Sequence, residues 1–149
     1  MPYNKRPIAL ILVDRKSRFR WLYLLPNREG TIVFKALQSF IQSLQVRYGK
    51  TPVEFHYNSR NKINKMLSDW LVEQGIAFNT SCPYIHEQNG LAERSIRVIA
   101  DRLRATMAWS RLPSNLWSAI ITGVIMLVNI IAVINRPFSP YQELLKDYD

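Results

Sequence analysis

One cysteine, Cys82, stands in a chain of 149 residues, which excludes an internal disulfide and leaves no thiol pair for a structural zinc site. The two histidines, His56 and His86, are too few to make up a metal cluster. Acidic residues are scarce as well: 11 Asp and Glu face 20 Lys and Arg, a formal net charge of +9. That excess favours polyanionic partners, nucleic acid first and an anionic membrane surface second. No small-residue cleavage site follows Lys5, Arg6 and the short run "IALILV", so no signal peptide is expected. No repeat, low-complexity run or linker divides the chain, and a hydrophobic content of 48% suffices for a core, so residues 1–149 are expected to form a single domain.

The positive charge is concentrated early. Residues 1–75 hold 13 Lys and Arg against 5 Asp and Glu, whereas residues 76–149 hold 7 against 6. Its densest point is "RKSRFR", where Arg15, Lys16, Arg18 and Arg20 fall within six positions and suit salt-dependent phosphate neutralisation, or equally a solvated strand end. The runs on either side, "IALILV" and "FRWLYLL", read as a hairpin with its turn near Lys16. Val33, Leu37, Phe40, Ile41 and Leu44 then recur at helical spacing up to a stop at Gly49. "TPVEFHY", "INKMLSDWLVEQG" and "IAFNT" read as strand, helix and strand, a parallel crossover unit. After the loop "SCPYIHEQNG", in which Asn89 and Gly90 fit an N-cap and its neighbour, an amphipathic helix is expected from Leu91 to about Trp109. Leu91, Ile96, Ile99, Leu103 and Met107 mark its buried side. Trp21, Trp70, Trp109 and Trp117 each fall in an apolar pattern and are expected to pack in the core or at its edge.

The last helix begins beyond Pro113. Residues 116–135, "LWSAIITGVIMLVNIIAVIN", are apolar enough to suggest a membrane span, yet Ser118, Thr122, Gly123 and Asn129 interrupt the run. A helix buried in a protein core has the same signature, and it is the expectation preferred here.

Four segments, in order, resemble the integrase core of copia-type retrotransposons. "VDRKSRFRWLYLL" is similar to that family's D-D-x-S-R-Y/F-x-W-x-Y-x-L segment, and "PYIHEQNGLAERSIRVI" to its P-Y-x-x-Q/E-Q-N-G-V/L-A-E-R segment. "RLPSNLWSAII" resembles its L-P-x-x-L-W motif, and "NRPFSPYQELL" its N-R and P-Y-E-L tail. The resemblance implies an α/β ribonuclease H-like fold, a mixed sheet flanked by helices, here without its first strand. It also implies DNA strand transfer supported by Mg²⁺ or Mn²⁺ held on two aspartates and a glutamate.

Glu93 matches the family's glutamate and is the candidate catalytic and metal-binding residue. The family's second aspartate precedes the glutamate by 35 intervening residues, and at that spacing this chain carries Tyr57. Asn58 then matches the family's asparagine, while Ser59, Arg60 and Asn61 stand where the family has glycines and a glutamate. A phenol with a pKa near 10 is a poor Mg²⁺ ligand at neutral pH. Asp14 matches the D-D-x-S-R segment and not the family's first catalytic aspartate. The expected function is therefore nucleic-acid binding linked to DNA integration, with catalysis lost. Arg94, Arg97, Arg15, Lys16 and Arg18 are the candidate contacts to DNA or RNA.

Other readings stay open. Glu93, Arg97, Asp101 and Arg104 also form an alternating charged helix stripe. Arg94 and Arg97 suit a solvated surface as well as phosphates. The chain as a whole could be a non-catalytic protein-interaction module, a small membrane-anchored protein or a fold that is not stable alone. A homo-oligomer is compatible with the resemblance and a small-molecule substrate is not expected. No localisation signal is evident, and a nuclear or cytoplasmic setting follows from the resemblance alone.

Overall fold

The first two strands form a hairpin, β1 (Ile8–Val13) and β2 (Arg20–Leu25), joined by six residues. A parallel pair would need a crossover of a dozen residues or more, so this short connection makes the pair antiparallel. The coordinates are a computed structural model that describes residues 7–58, 65–81, 86–132 and 135–146, with the backbone alone at 57, 58, 80, 81 and 86–89. Ser59, Arg60, Asn61 and Cys82 lie outside the described residues.

Local chemistry shapes the hairpin loop. Asp14 Oδ2 accepts from both the backbone N–H and the hydroxyl of Ser17, each at 2.6 Å, and Ser17 Oγ accepts from the Phe19 N–H at 3.1 Å. Ser17 is fully buried, so its hydroxyl satisfies backbone groups that the turn would otherwise strand. The chain then passes through Arg18 at φ +65°, a left-handed conformation that costs a non-glycine residue about 1–2 kcal/mol. The bends at Arg15, Lys16 and Arg18 are thus held by Asp14 and Ser17.

Helix α1 (Gly30–Tyr48) buries Leu37, Phe40, Ile41 and Leu44 as their spacing predicts, and ends at Gly49 in a left-handed conformation. Strand β3 (Glu54–Asn58), helix α2 (Lys65–Glu73) and strand β4 (Ala77–Ser81) form the expected crossover. β3 and β4 are parallel, with Phe55 opposite Phe78 and Tyr57 opposite Thr80. Gly75, at φ +71°, ends α2 in a Schellman arrangement, its N–H bonded to Val72 O and the Ile76 N–H to Leu71 O. Edge-to-face pairs, Phe34 with Trp70 and Phe40 with Phe55, join α1 to α2 and to β3.

Helix α3 runs from His86 to Ser110, so it starts five residues before the expected Leu91, and Asn89 and Gly90 lie inside it. Glu and Gln are good helix formers, and one internal glycine costs only about 1 kcal/mol, too little to stop a long helix. Its buried row is Ser95, Ile99 and half-buried Leu103, with Met107 also half-buried. Ile96, expected to be buried, is 51% exposed, because it lies one position off that i, i+4 row and turns about 100° away. Trp109 is 89% exposed, so at this position the expected packing is absent.

A short 3₁₀ turn (Ser114–Leu116) leads into α4 (Trp117–Ile130), which is 14 residues long instead of the twenty that the apolar run suggests. At about 1.5 Å per residue it spans roughly 21 Å, short of a bilayer's hydrocarbon core of about 30 Å. No helix among the described residues is long and apolar enough to cross a membrane. The helix ends where Ile131 takes an extended conformation. Helix α5 (Pro140–Lys146) opens with a capping box. The Gln142 N–H donates to Ser139 Oγ, and the Ser139 N–H donates to Gln142 Oε1.

The described residues divide into two compact units, the first 25–90 and the second 7–24 with 91–146. Each contains one two-stranded sheet, antiparallel β1–β2 in the second and parallel β3–β4 in the first. In the second unit Ile99 of α3 meets Ile121, Val124, Ile125 and Val128 of α4, and Ala9, Ile11 and Leu22 of the hairpin pack against them. Asn129, which looked like an interruption of the apolar run, is buried beside this core. Its Oδ1 accepts from the Arg20 N–H at 3.0 Å and its Nδ2 donates to the Arg20 C=O at 2.8 Å. In an antiparallel pair the N–H and C=O of one residue point the same way, so Arg20 presents its backbone away from β1 and Asn129 covers that edge.

Two outcomes follow from these contacts. Replacing Asn129 with Leu, which keeps the branching at Cγ but has no polar atoms, leaves two buried backbone groups unpaired at about 1–3 kcal/mol each. Denaturant unfolding should show a loss of about 2–5 kcal/mol, and a loss below about 1 kcal/mol would contradict the pairing. Arg18→Gly removes the left-handed penalty and should raise stability by about 1 kcal/mol, whereas a drop of that size in the same experiment would count against the loop geometry.

Candidate functional site

The basic loop and helix α3 from Leu91 onward belong to the same unit, and this unit gathers most of the candidate residues. Arg18 is half-buried, and its pKa is lowered by burial first, then by the positive charges of Arg136, Arg94 and Arg15, with Asp14 opposing. Arginines of the loop, of α3 and of the segment before α5 therefore all act on Arg18. Arg136 Nη1 also donates to the Lys16 carbonyl at 3.2 Å, tying that segment to the loop. Arg20 has its pKa lowered by burial, then by Arg102 and Arg18. Arg94, Val98 and Arg102 share one i, i+4 row of α3, next to the buried row of Ser95, Ile99 and Leu103. That row brings Arg102 to the edge of the core.

Of the sequence-derived candidates, Arg15, Arg18 and Arg94 are thus brought together, and Lys16 joins them through its backbone. Arg97 and Glu93 are exposed on α3. The salt bridge found on the α3 stripe joins Asp101 to Arg104. Sequence reasoning left out Arg102 and Arg136 and gave Arg20 no separate role. The row containing Arg94 was the available signal for Arg102, but nothing local marks Arg136, which reaches Lys16 across 120 positions.

Tyr57 lies on β3 of the other unit, paired in register with Thr80, and its side chain is outside the described residues. Beside it, the Glu54 carboxylate accepts from Asn79 Nδ2 and lies 2.9 Å from His56 Nε2. The cross-strand register puts His56 opposite Asn79, so this is a polar cluster on one sheet face.

Among the described residues, the donors singled out from the sequence do not assemble a site for a pair of divalent ions. Asp14 has Oδ2 committed to two bonds with Ser17, and Tyr57 offers a phenol at the spacing of an aspartate. Among the described residues no three His, Cys, Asp or Glu side chains come together to hold a metal ion. Mg²⁺ requires hard, largely anionic oxygen donors, and Glu93 is one carboxylate.

No family model matches the chain. Among curated proteins it is similar to the Retrovirus-related Pol polyprotein from transposon RE2 of Arabidopsis thaliana, 29% identical over 140 residues, covering 91% of this chain and 9% of the relative. The corresponding polyprotein from transposon RE1 of the same plant is 26% identical over 136 residues, again covering 91% of this chain and 9% of the relative. That from transposon TNT 1-94 of Nicotiana tabacum is 24% identical over 118 residues, covering 78% and 9%. The chain therefore spans about a tenth of the length of these relatives.

Among solved structures, the catalytic core domain of BIV integrase superposes with a TM-score of 0.70 at 21% identity, covering 99% of this chain and 91% of that one. The HTLV-2 integrase catalytic core domain, in complex with magnesium in a trimeric form, gives 0.66 at 17% identity, covering 96% and 88%. The fold is that of these cores, and the sequence is similar to a segment of retrotransposon Pol polyproteins.

Proposed function

We propose that this chain is an integrase core of the ribonuclease H-like type that binds nucleic acid through the arginines of the second unit and does not itself cut or join strands. The observation that carries the binding half is the Arg136 hydrogen bond to the Lys16 carbonyl, which ties a distant arginine to the basic loop, where Arg18 lies within the electrostatic reach of Arg136, Arg94 and Arg15. Like charges held together in this way repel, and a phosphate backbone relieves that repulsion. Lys16 and Arg97 extend the same surface as secondary contacts. Binding of this kind reads no sequence, since phosphate contacts position a duplex without reporting its bases.

The catalytic half rests on the donor chemistry of Tyr57. The HTLV-2 integrase catalytic core domain is described in complex with magnesium. In this chain Glu93 is the inherited metal-ligand position, left without the aspartate that Tyr57 replaces. The HTLV-2 core is described in trimeric and dimeric forms, and a homo-oligomer is the corresponding expectation for this chain.

A second reading, a protein-interaction module, is favoured by one observation: Met126, Leu127, Ile130 and Ile131 are all exposed on or just after α4. Salt separates the two readings, because an apolar interface does not weaken as ionic strength rises through the physiological range.

Binding of a labelled duplex should lose affinity on the order of 10²–10³-fold between 50 and 200 mM salt if about five phosphates are neutralised. The double change Arg15→Gln and Arg18→Gln should flatten the log–log slope by about two units. A salt-independent affinity would sink the binding reading. In a nicking and strand-transfer assay with Mg²⁺ or Mn²⁺, neither wild type, Glu93→Gln nor Tyr57→Asp should release product. Wild-type product abolished by Glu93→Gln would overturn the catalytic half.

A further inference from the structure

Strand β2 places Arg20 in phase with Leu22, two residues on, and Leu22 packs against the Ile99 and Val128 core. The Arg20 side chain therefore faces inward and is 9% exposed. Its backbone is engaged by Asn129, but Nε and Nη1 of its guanidinium are buried and find no hydrogen-bond partner among the described residues. The charges acting on it, Arg102 and Arg18, are of its own sign. Among the described residues no carboxylate pairs with it, and a buried cation with unused donors is costly, a cost that a methionine at this inward position would avoid.

We propose that Arg20, flanked by Arg18 and Arg102, is the floor of a phosphate-binding site. A guanidinium fork pairs with a carboxylate as well as with a phosphate, so the choice rests on the number of arginines. A carboxylate brings two oxygens and one charge. A phosphate brings more oxygens, spread over a tetrahedron, and can serve several guanidiniums at once. The phosphate is either a free ion or one link of a nucleic-acid backbone, and only the second source rests on the function proposed above. In the second case Arg20 holds one phosphate deeply while the exposed loop and α3 track its neighbours.

The test uses the whole chain and its Arg20→Met variant. Each is melted in inorganic phosphate and in chloride at equal ionic strength. In chloride the variant should be at least as stable as the wild type, because a buried unpaired charge is gone. Added phosphate should raise the wild-type melting temperature with saturation and leave the variant unmoved. Equal shifts in both proteins, or none in the wild type, would overturn the site. Should the variant not fold, the Arg20 Nε–H resonance of the wild type decides: it must move saturably with phosphate, and a static resonance overturns the site.

A duplex oligonucleotide in a second arm separates the sources. Wild-type binding about tenfold tighter than that of Arg20→Met supports a backbone phosphate. Phosphate stabilisation without oligonucleotide binding supports the site, assigns it to a free phosphate and removes the nucleic-acid function alone. Equal oligonucleotide binding by both proteins, with no effect of phosphate, removes the Arg20 site and leaves that function standing.

Discussion

The Asn129 carboxamide does for strand β2 what a neighbouring strand does elsewhere: it accepts from one backbone N–H and donates to the matching C=O. Both partners are buried, so no water stands ready to replace either bond. This contact ties the hairpin to α4 at the position where the hairpin loop ends. Much of the second unit follows from it. The Arg20 backbone faces Asn129, the inward turn of its side chain follows from strand alternation, and the loop before it is tied to the segment holding Arg136.

The same constraint turns a surplus of positive charge into an organised one. A basic run at a strand end normally splays into solvent. Here Asp14 and Ser17 lock the bends of the loop, Arg136 bonds to the Lys16 carbonyl, and the α3 row of Arg94 and Arg102 faces them. The cost is visible in the lowered pKa values of Arg18 and Arg20, both driven first by burial. Asp14 serves the same turn, its Oδ2 accepting both bonds from Ser17.

The legible parts of the fold were those decided by local chemistry. The hairpin turn, the buried stripe of α1, the stops at Gly49 and Gly75 and the parallel crossover all follow from spacing and backbone preference over a few residues. The features misread depend on contacts between distant elements. Ile96 faces out because Ser95, Ile99 and Leu103 make the row against α4. α4 stops at Ile130, although the apolar run continues, and its one buried amide is a partner for β2 and not a flaw. At the site, Glu93 and Tyr57 could be located by counting residues. The convergence of Arg18, Arg20, Arg102 and Arg136 could not, since it exists only once the hairpin, α3 and the pre-α5 segment are packed.

Hydrogen exchange at the Arg20 amide tests most directly whether Asn129 holds this unit together. If it does, the Arg20 N–H is released only when the unit opens as a whole, and it should exchange as slowly as the core amides of Val124 and Ile125 in α4. Exchange faster by orders of magnitude, at the rate of a fraying strand edge, would contradict the account, since the hairpin would then come away from α4 while the core stayed closed.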